Sequence, residues 1–121
     1  MKRKTRDFFM YLQDIVESAD RIEEYIKNTT EKEFSYHQET KDAVVMRIGV
    51  IGEAVKNLPP TIKKHYQEVD WKKTVKMRNI FTHEYFGINY HRLWKTAKHD
   101  IPLLKERILE ILGDLKIRKL I

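Results

Sequence analysis

The stretch Arg78-Asn79-Ile80-Phe81-Thr82-His83-Glu84-Tyr85 puts a guanidinium, an amide, an imidazole and a phenol within about two helical turns. On a helix, Asn79 and His83 lie four residues apart on one face. Arg78 and Thr82 share the adjoining face, Arg78 and Tyr85 are two turns apart, and Ile80 and Phe81 can turn to a core. The guanidinium fork of Arg78 can grip the oxygens of a phosphate. The imidazole of His83 can carry a proton near neutral pH. The same residue types also serve as ordinary surface or interface groups on helices, and spacing alone leaves both uses open.

Other chemistries find less support. The chain has no cysteine, which excludes disulfides and thiolate metal sites and fits a reducing, cytoplasmic setting. His91 and His99 are eight residues apart, too far along a helix to share one metal ion. His83-Glu84 lacks the second histidine of a metalloprotease helix. There is no Gly-rich phosphate loop, nucleophile elbow or paired-carboxylate arrangement. No metal and no cofactor are therefore expected. No apolar run approaches the length of a membrane helix, so no membrane partner is expected either.

Charge is concentrated around the polar strip. Residues 71–98 carry Lys72, Lys73, Lys76, Arg78, Arg92, Lys95 and Lys98 against the single acid Glu84, whereas residues 7–70 are acidic on balance. A local basic field of this kind suits an anionic partner, with nucleic acid the leading candidate.

The elements that must position these residues are helices. Phe8, Leu12, Ile15, Ala19, Ile22 and Ile26 form a helical stripe, which predicts a first helix from Thr5 or Asp7 to about Asn28. Asn28-Thr29-Thr30 ends it and can cap a short turn containing Phe34. Val44, Ile48, Ile51, Val55 and Leu58 predict a second long helix over about 39–57, stopped by Pro59-Pro60. Gly49 and Gly52 lie inside it at a cost of ~1 kcal/mol each relative to alanine, so a close approach by another helix is expected. Residues 61–66 predict a short helix. Asp70 is the expected N-cap of the helix bearing the polar strip, which should end near Phe86-Gly87 with Gly87 in the left-handed position. Asn89 should cap a last helix running through Ile111, kinked or restarted at Pro102.

The expected fold is all-α: a single domain over 1–121, built as a four- to five-helix bundle, with a basic and apolar C-terminal tail over 113–121. Trp71, Trp94 and the tyrosines sit at helical spacings and are expected in the core or an interface. Val45, Met46 and Val50 fall off the main seam, and this second apolar face predicts a dimer.

The segment from Met77 to Gly87 resembles the signature of the HepT-like branch of the HEPN superfamily: Arg with a following Asn, then His five residues after the Arg, then Tyr two residues later. The resemblance extends over about residues 6–108. It includes Arg6-Asp7 with Tyr11-Leu12-Gln13-Asp14-Ile15, Ile51-Gly52-Glu53-Ala54, Val69-Asp70-Trp71-Lys72, Leu93-Trp94, and Asp100-Ile101-Pro102-Leu103-Leu104.

The resemblance implies a HEPN-like helical homodimer whose two motifs share one cleft. It implies a metal-independent endoribonuclease acting as the toxin of a type VII-like toxin–antitoxin system. Arg78 and His83 become the catalytic pair and Asn79 their support. Tyr85 becomes the target of AMP transfer by a minimal (MNT-type) nucleotidyltransferase antitoxin. Lys72, Lys73, Lys76, Arg92 and Lys95 become the candidate RNA-binding residues. Two rivals stand beside this reading: a non-catalytic dimerisation module that binds a nucleotidyltransferase or nucleotide, and a helical nucleic-acid binder without catalysis.

Overall fold

The computed structural model describes residues 7–84 and 87–121. All elements among them are helical, as the composition and stripes predict.

Helix α1 (Phe8–Ile26) begins where the Asp7 carboxylate accepts the Phe9 N–H at 3.0 Å. Its stripe Leu12, Ile15, Ala19, Ile22 and Ile26 is buried. Each large side chain removed from water in this way stabilises the fold by about 1.5–3 kcal/mol. The short helix α2 (Glu31–Tyr36) opens on a capping box. The Thr30 hydroxyl accepts the Glu33 N–H at 3.1 Å, and the Glu33 carboxylate accepts the Thr30 N–H at 3.0 Å. The Thr30 N–H, and then the Thr30 hydroxyl at 3.3 Å from Oε1, hold the Glu33 carboxyl below its ordinary range. Phe34 is thereby fixed in the core, 5.2 Å from the ring of Trp94.

Helix α3 (Gln38–Asn57) is the centre of the molecule, with α1 on one side and α5 on another. It ends at Leu58, which is extended as expected before Pro59, and Pro60 opens α4 (Pro60–His65). Helix α5 (Trp71–His83) is capped by Asp70, whose carboxylate accepts the Lys73 N–H at 3.0 Å. The last element is a single helical run: α6 (Tyr90–Lys95), a π-turn over Thr96–Asp100, then α7 (Ile101–Ile117). Among the described residues the bundle therefore has four long helical units, with α2 and α4 as short connectors.

Three details depart from the sequence expectations. Helix α5 ends at His83, with Glu84 as its cap, three residues earlier than expected. Gly87 consequently has no left-handed role: no described glycine has a positive φ, and the Gly87 N–H closes a turn onto the Glu84 carbonyl at 2.9 Å. Pro102, by contrast, marks a fresh start as expected: it stands in the first turn of α7, which opens at Ile101. The π-turn lies just before it, with the Ile101 N–H bonded to the Thr96 carbonyl, and the wider turn accommodates a residue that has no N–H to donate. The tail expected from Gly113 begins inside α7, which continues to Ile117 and buries Leu115, leaving Ile117, Leu120 and Ile121 exposed.

Tyr66 fastens the α4 end of the molecule to α7. Its hydroxyl donates to Asp114 Oδ2 at 2.6 Å, and Asp114 also accepts Arg118 Nε at 2.9 Å. Burial, and then this hydrogen bond, push the phenol up to about 12. The same bond, with Arg118 adding to it, holds the Asp114 carboxyl below its ordinary range.

Candidate functional site

Helix α5 is anchored at its start. Trp71 is buried, and its indole N–H reaches the carbonyls of Tyr66 at 3.0 Å and Lys63 at 3.2 Å. Thr74 is buried one turn on, and Phe81 enters the core near the other end. With both ends fixed, the rotation of α5 about its axis is set, and so is the side on which each polar residue emerges.

Arg78 emerges toward α3. A Cβ at residue 52 would lie 2.5 Å from Cγ of Arg78 and 3.2 Å from its Nε, so the aliphatic stem of the arginine occupies the space that Gly52 leaves. Only 18% of the Arg78 side chain is exposed. Its Nη1 is 3.6 Å from Glu53 Oε1, while its Nε is buried with no hydrogen-bond partner among the described residues. The close approach expected at a helix glycine is therefore made by a side chain of α5.

Gly49 behaves differently. Among the described residues, nothing lies within 4 Å of where its Cβ would be. It sits with exposed Met46 and half-buried Val50 on an open stripe of α3, while Val45, grouped with them in the sequence, belongs to the core. Glu53 and the Arg78 guanidinium stand at the end of this stripe.

Asn79 and His83 are both exposed. At ~100° per residue, the five-residue step from Arg78 to His83 is a turn of about 140° around α5. The two candidate catalytic groups of one chain thus do not share a face. Tyr85 lies outside the described residues.

The opposite side of α5 carries the cations. Lys73 and Lys76 join Arg92 around a cleft of about 230 Å³ between α5 and the α6–π segment, floored by Met77, Ile80 and Phe81. Arg92 and Lys95 line an adjoining cavity of about 430 Å³ with His91, His99 and Asp100. Four of the five basic residues singled out from the sequence therefore gather along one pair of cavities. Lys72 is exposed but lines neither. Two features were not foreseen. Asp100, at the end of the π-turn, places a carboxylate in both cavities, and His91 is tied to Glu31 of α2 at 2.5 Å. The contact of Arg78 with Gly52 and Glu53 was signalled only by the glycine inside a helix.

Comparison with known proteins gives the family of the chain. The family model described as "Ribonuclease HepT-like" matches residues 15–111, which include both Arg78 and His83. A Methanocaldococcus jannaschii protein named as a gamma-glutamylcyclotransferase and, provisionally, an RNase is 43% identical over 94% of this chain. The chain spans only 51% of that relative's length. A Thermococcus cleftensis protein named "Probable ribonuclease HepT" is 40% identical over 87% of this chain and 93% of its own length. Another M. jannaschii protein, named provisionally as an RNase, is 39% identical over 92% of each chain. No solved structure matches. The chain belongs to the Ribonuclease HepT-like family, the family and the kind of enzyme that its sequence resembles.

Proposed function

We propose that this protein is a metal-independent endoribonuclease that works as a homodimer, with Arg78 and His83 as its catalytic residues and Asn79 in support. The observation that carries the reading is the placement of Arg78. A mostly buried arginine, whose Nε has no hydrogen-bond partner and whose Nη1 faces Glu53 at 3.6 Å among the described residues, stands at the edge of an apolar stripe on α3. One α5 turns Arg78 and His83 to different sides, so a second copy seated on the stripe of Met46, Gly49 and Val50 is what would complete the site.

RNA brings its own nucleophile, and no activated water is needed. The 2′-oxygen attacks the adjacent phosphorus as an imidazole takes its proton, and the bond from phosphorus to the 5′-oxygen breaks. The leaving oxygen takes a proton from the partner copy's imidazole or from water. The products are a 2′,3′-cyclic phosphate and a 5′-hydroxyl. Arg78 stabilises the negative charge that grows on the phosphoryl oxygens. Lys73, Lys76, Arg92 and Lys95 hold the flanking backbone, with Lys72 adding to the field that draws it in.

The protein acts on this reading as the toxin of a toxin–antitoxin pair. A nucleotidyltransferase antitoxin transfers AMP from ATP to the Tyr85 oxygen, releasing pyrophosphate and the phenol proton, and the added charge and bulk, two residues from His83, exclude the RNA phosphate. Incubating the protein with RNA in EDTA tests the chemistry. Cleavage should persist, leave cyclic phosphate ends, and disappear in His83→Ala and Arg78→Ala. Undiminished cleavage in both variants would sink the assignment, and tight binding of a nucleotidyltransferase without any cleavage would favour the non-catalytic module instead.

A further inference from the structure

We infer that Gly52 and Glu53 of α3 are positioning residues for Arg78, forming a two-residue cradle that fixes where its guanidinium meets a scissile phosphate. The inference rests on the reading of Arg78 as the residue that grips that phosphate.

An arginine side chain has four rotatable bonds and on a free helix surface samples many of their combinations. Its loss of freedom on ordering is of the order of 2 kcal/mol. Here much of that ordering is done before any ligand arrives. The stem lies in the gap above Gly52, where any side chain would collide with Cβ and Cγ of Arg78. That gap explains a glycine in the middle of a 20-residue helix, a position otherwise costing ~1 kcal/mol. At the far end of the stem, Nη1 faces Glu53 Oε1 at 3.6 Å. The next residue along α3 therefore restrains the head once Gly52 has admitted the stem.

The strength of the Glu53 contact suits this role. Glu53 is 56% exposed, so the pair sits in water-rich surroundings. Such pairs contribute little to stability, typically under ~1 kcal/mol. Glu53 can thus orient the fork without competing seriously with a phosphate for it. The outer N–H groups of the guanidinium, beyond the buried Nε, can face two phosphoryl oxygens at once. Orientation of this kind acts on the transition state more than on binding, since the cations that hold the RNA backbone lie on the other side of α5.

The test is steady-state cleavage of a random-sequence oligoribonucleotide carrying a fluorophore and quencher, by the full chain and its variants. Glu53→Ala should lower kcat about tenfold and leave KM within about twofold, because a loosened fork costs geometry rather than affinity. Glu53→Gln keeps an acceptor oxygen at the same reach without the charge, and its kcat should fall between the parent's and that of Glu53→Ala. Gly52→Ala should lower kcat further, by about 10²-fold, because it displaces the stem itself. Should Gly52→Ala fail to fold, the Glu53 series decides alone, since that side chain is exposed. The inference is overturned if Glu53→Ala keeps kcat within twofold of the parent, or if its whole loss is in KM. Arg78→Ala separates the two levels: its inactivity beside a fully active Glu53→Ala refutes the cradle and leaves Arg78 catalytic. An active Arg78→Ala refutes the catalytic reading itself.

Discussion

The two sides of α5 hold their positive charge in opposite ways. Toward α3, Arg78 is packed over a glycine and restrained at its head, and most of its surface is hidden. Toward α6, Lys73, Lys76, Arg92 and Lys95 are exposed and line open cavities. A group that must meet one phosphorus within a few tenths of an ångström needs the first arrangement. Groups that only supply a field along a flexible backbone are served by the second, which tolerates many RNA conformations. On the proposed function, the difference separates the precise placement of Arg78 on one side of the helix from the looser hold on RNA on the other.

The largest effect expected from breaking this division is the loss of chemistry. His83→Ala should lower kcat by about 10²–10⁴-fold, the usual contribution of a proton-transfer group, while RNA binding followed by fluorescence anisotropy stays close to the parent's. A comparable loss of binding would mean that chemistry and affinity are not separated. The complementary change is the triple variant Lys73→Ala, Lys76→Ala, Arg92→Ala. It should weaken RNA binding by about tenfold or more near physiological salt and flatten the salt dependence by up to ~0.7 in slope for each lost phosphate contact. The rate at saturating RNA should change little. A collapse of kcat with unchanged affinity would invert the comparison.

The positions of most helices were legible in the sequence because their ends carry local chemistry. Asp7, Thr30 with Glu33, Pro59-Pro60, Asp70 and Asn89 each act on backbone groups within a few residues, and each begins or ends a helix where expected. What could not be read was set by contacts distant in sequence or by one unusual turn. The end of α5 at His83 follows no strong stop signal, and the π-turn before Pro102 is one of several ways a helix can accommodate a proline. The burial of Arg78 depends on how closely α3 and α5 approach, and helical periodicity does not encode that distance. The motif marked Arg78 and His83 as a pair. Their five-residue spacing already contained the ~140° that separates them on one helix.

Gly49 and Gly52 sharpen the contrast on the α3 side. One gap is filled from within the chain, and the other is open among the described residues. A glycine on an open helix face weakens α3 by ~1 kcal/mol unless something approaches it closely. On the proposed dimer, that approach comes from the second copy. Gly49→Ala should therefore weaken the dimer by several-fold, seen by sedimentation as a shift toward monomer, because even one methyl group is felt in a well-packed interface. A variant with an unchanged dimer and a higher Tm would show instead that the stripe packs against nothing at this position.

The smallest effect should come from a residue remote from both sides of α5. Tyr66→Phe removes the hydroxyl that binds Asp114 at 2.6 Å but leaves Asp114 in reach of Arg118 and water. Near neutral pH it should lower Tm by about 2–6 °C and leave kcat and KM for RNA unchanged. Its pH dependence has a defined sign. The phenol's ordinary value of 10.0 is raised to about 12 in the fold, so folding favours the neutral form. That stabilisation is complete below pH 10 and is lost as pH rises from 10 through 12. The gap in Tm between parent and variant should narrow across that window in melts followed by circular dichroism. Lysine deprotonation affects both proteins alike and cancels in the difference. At the acid end the sign reverses, because the Asp114 carboxyl is held below its ordinary 3.8, first by the Tyr66 hydroxyl. The parent should lose more stability than the variant as pH falls below 3.8, since only the parent has that bond to lose. A gap that stays constant from pH 9 to 12 would mean that the phenol does not hold its proton in the fold. The link between α4 and α7 would then be packing alone.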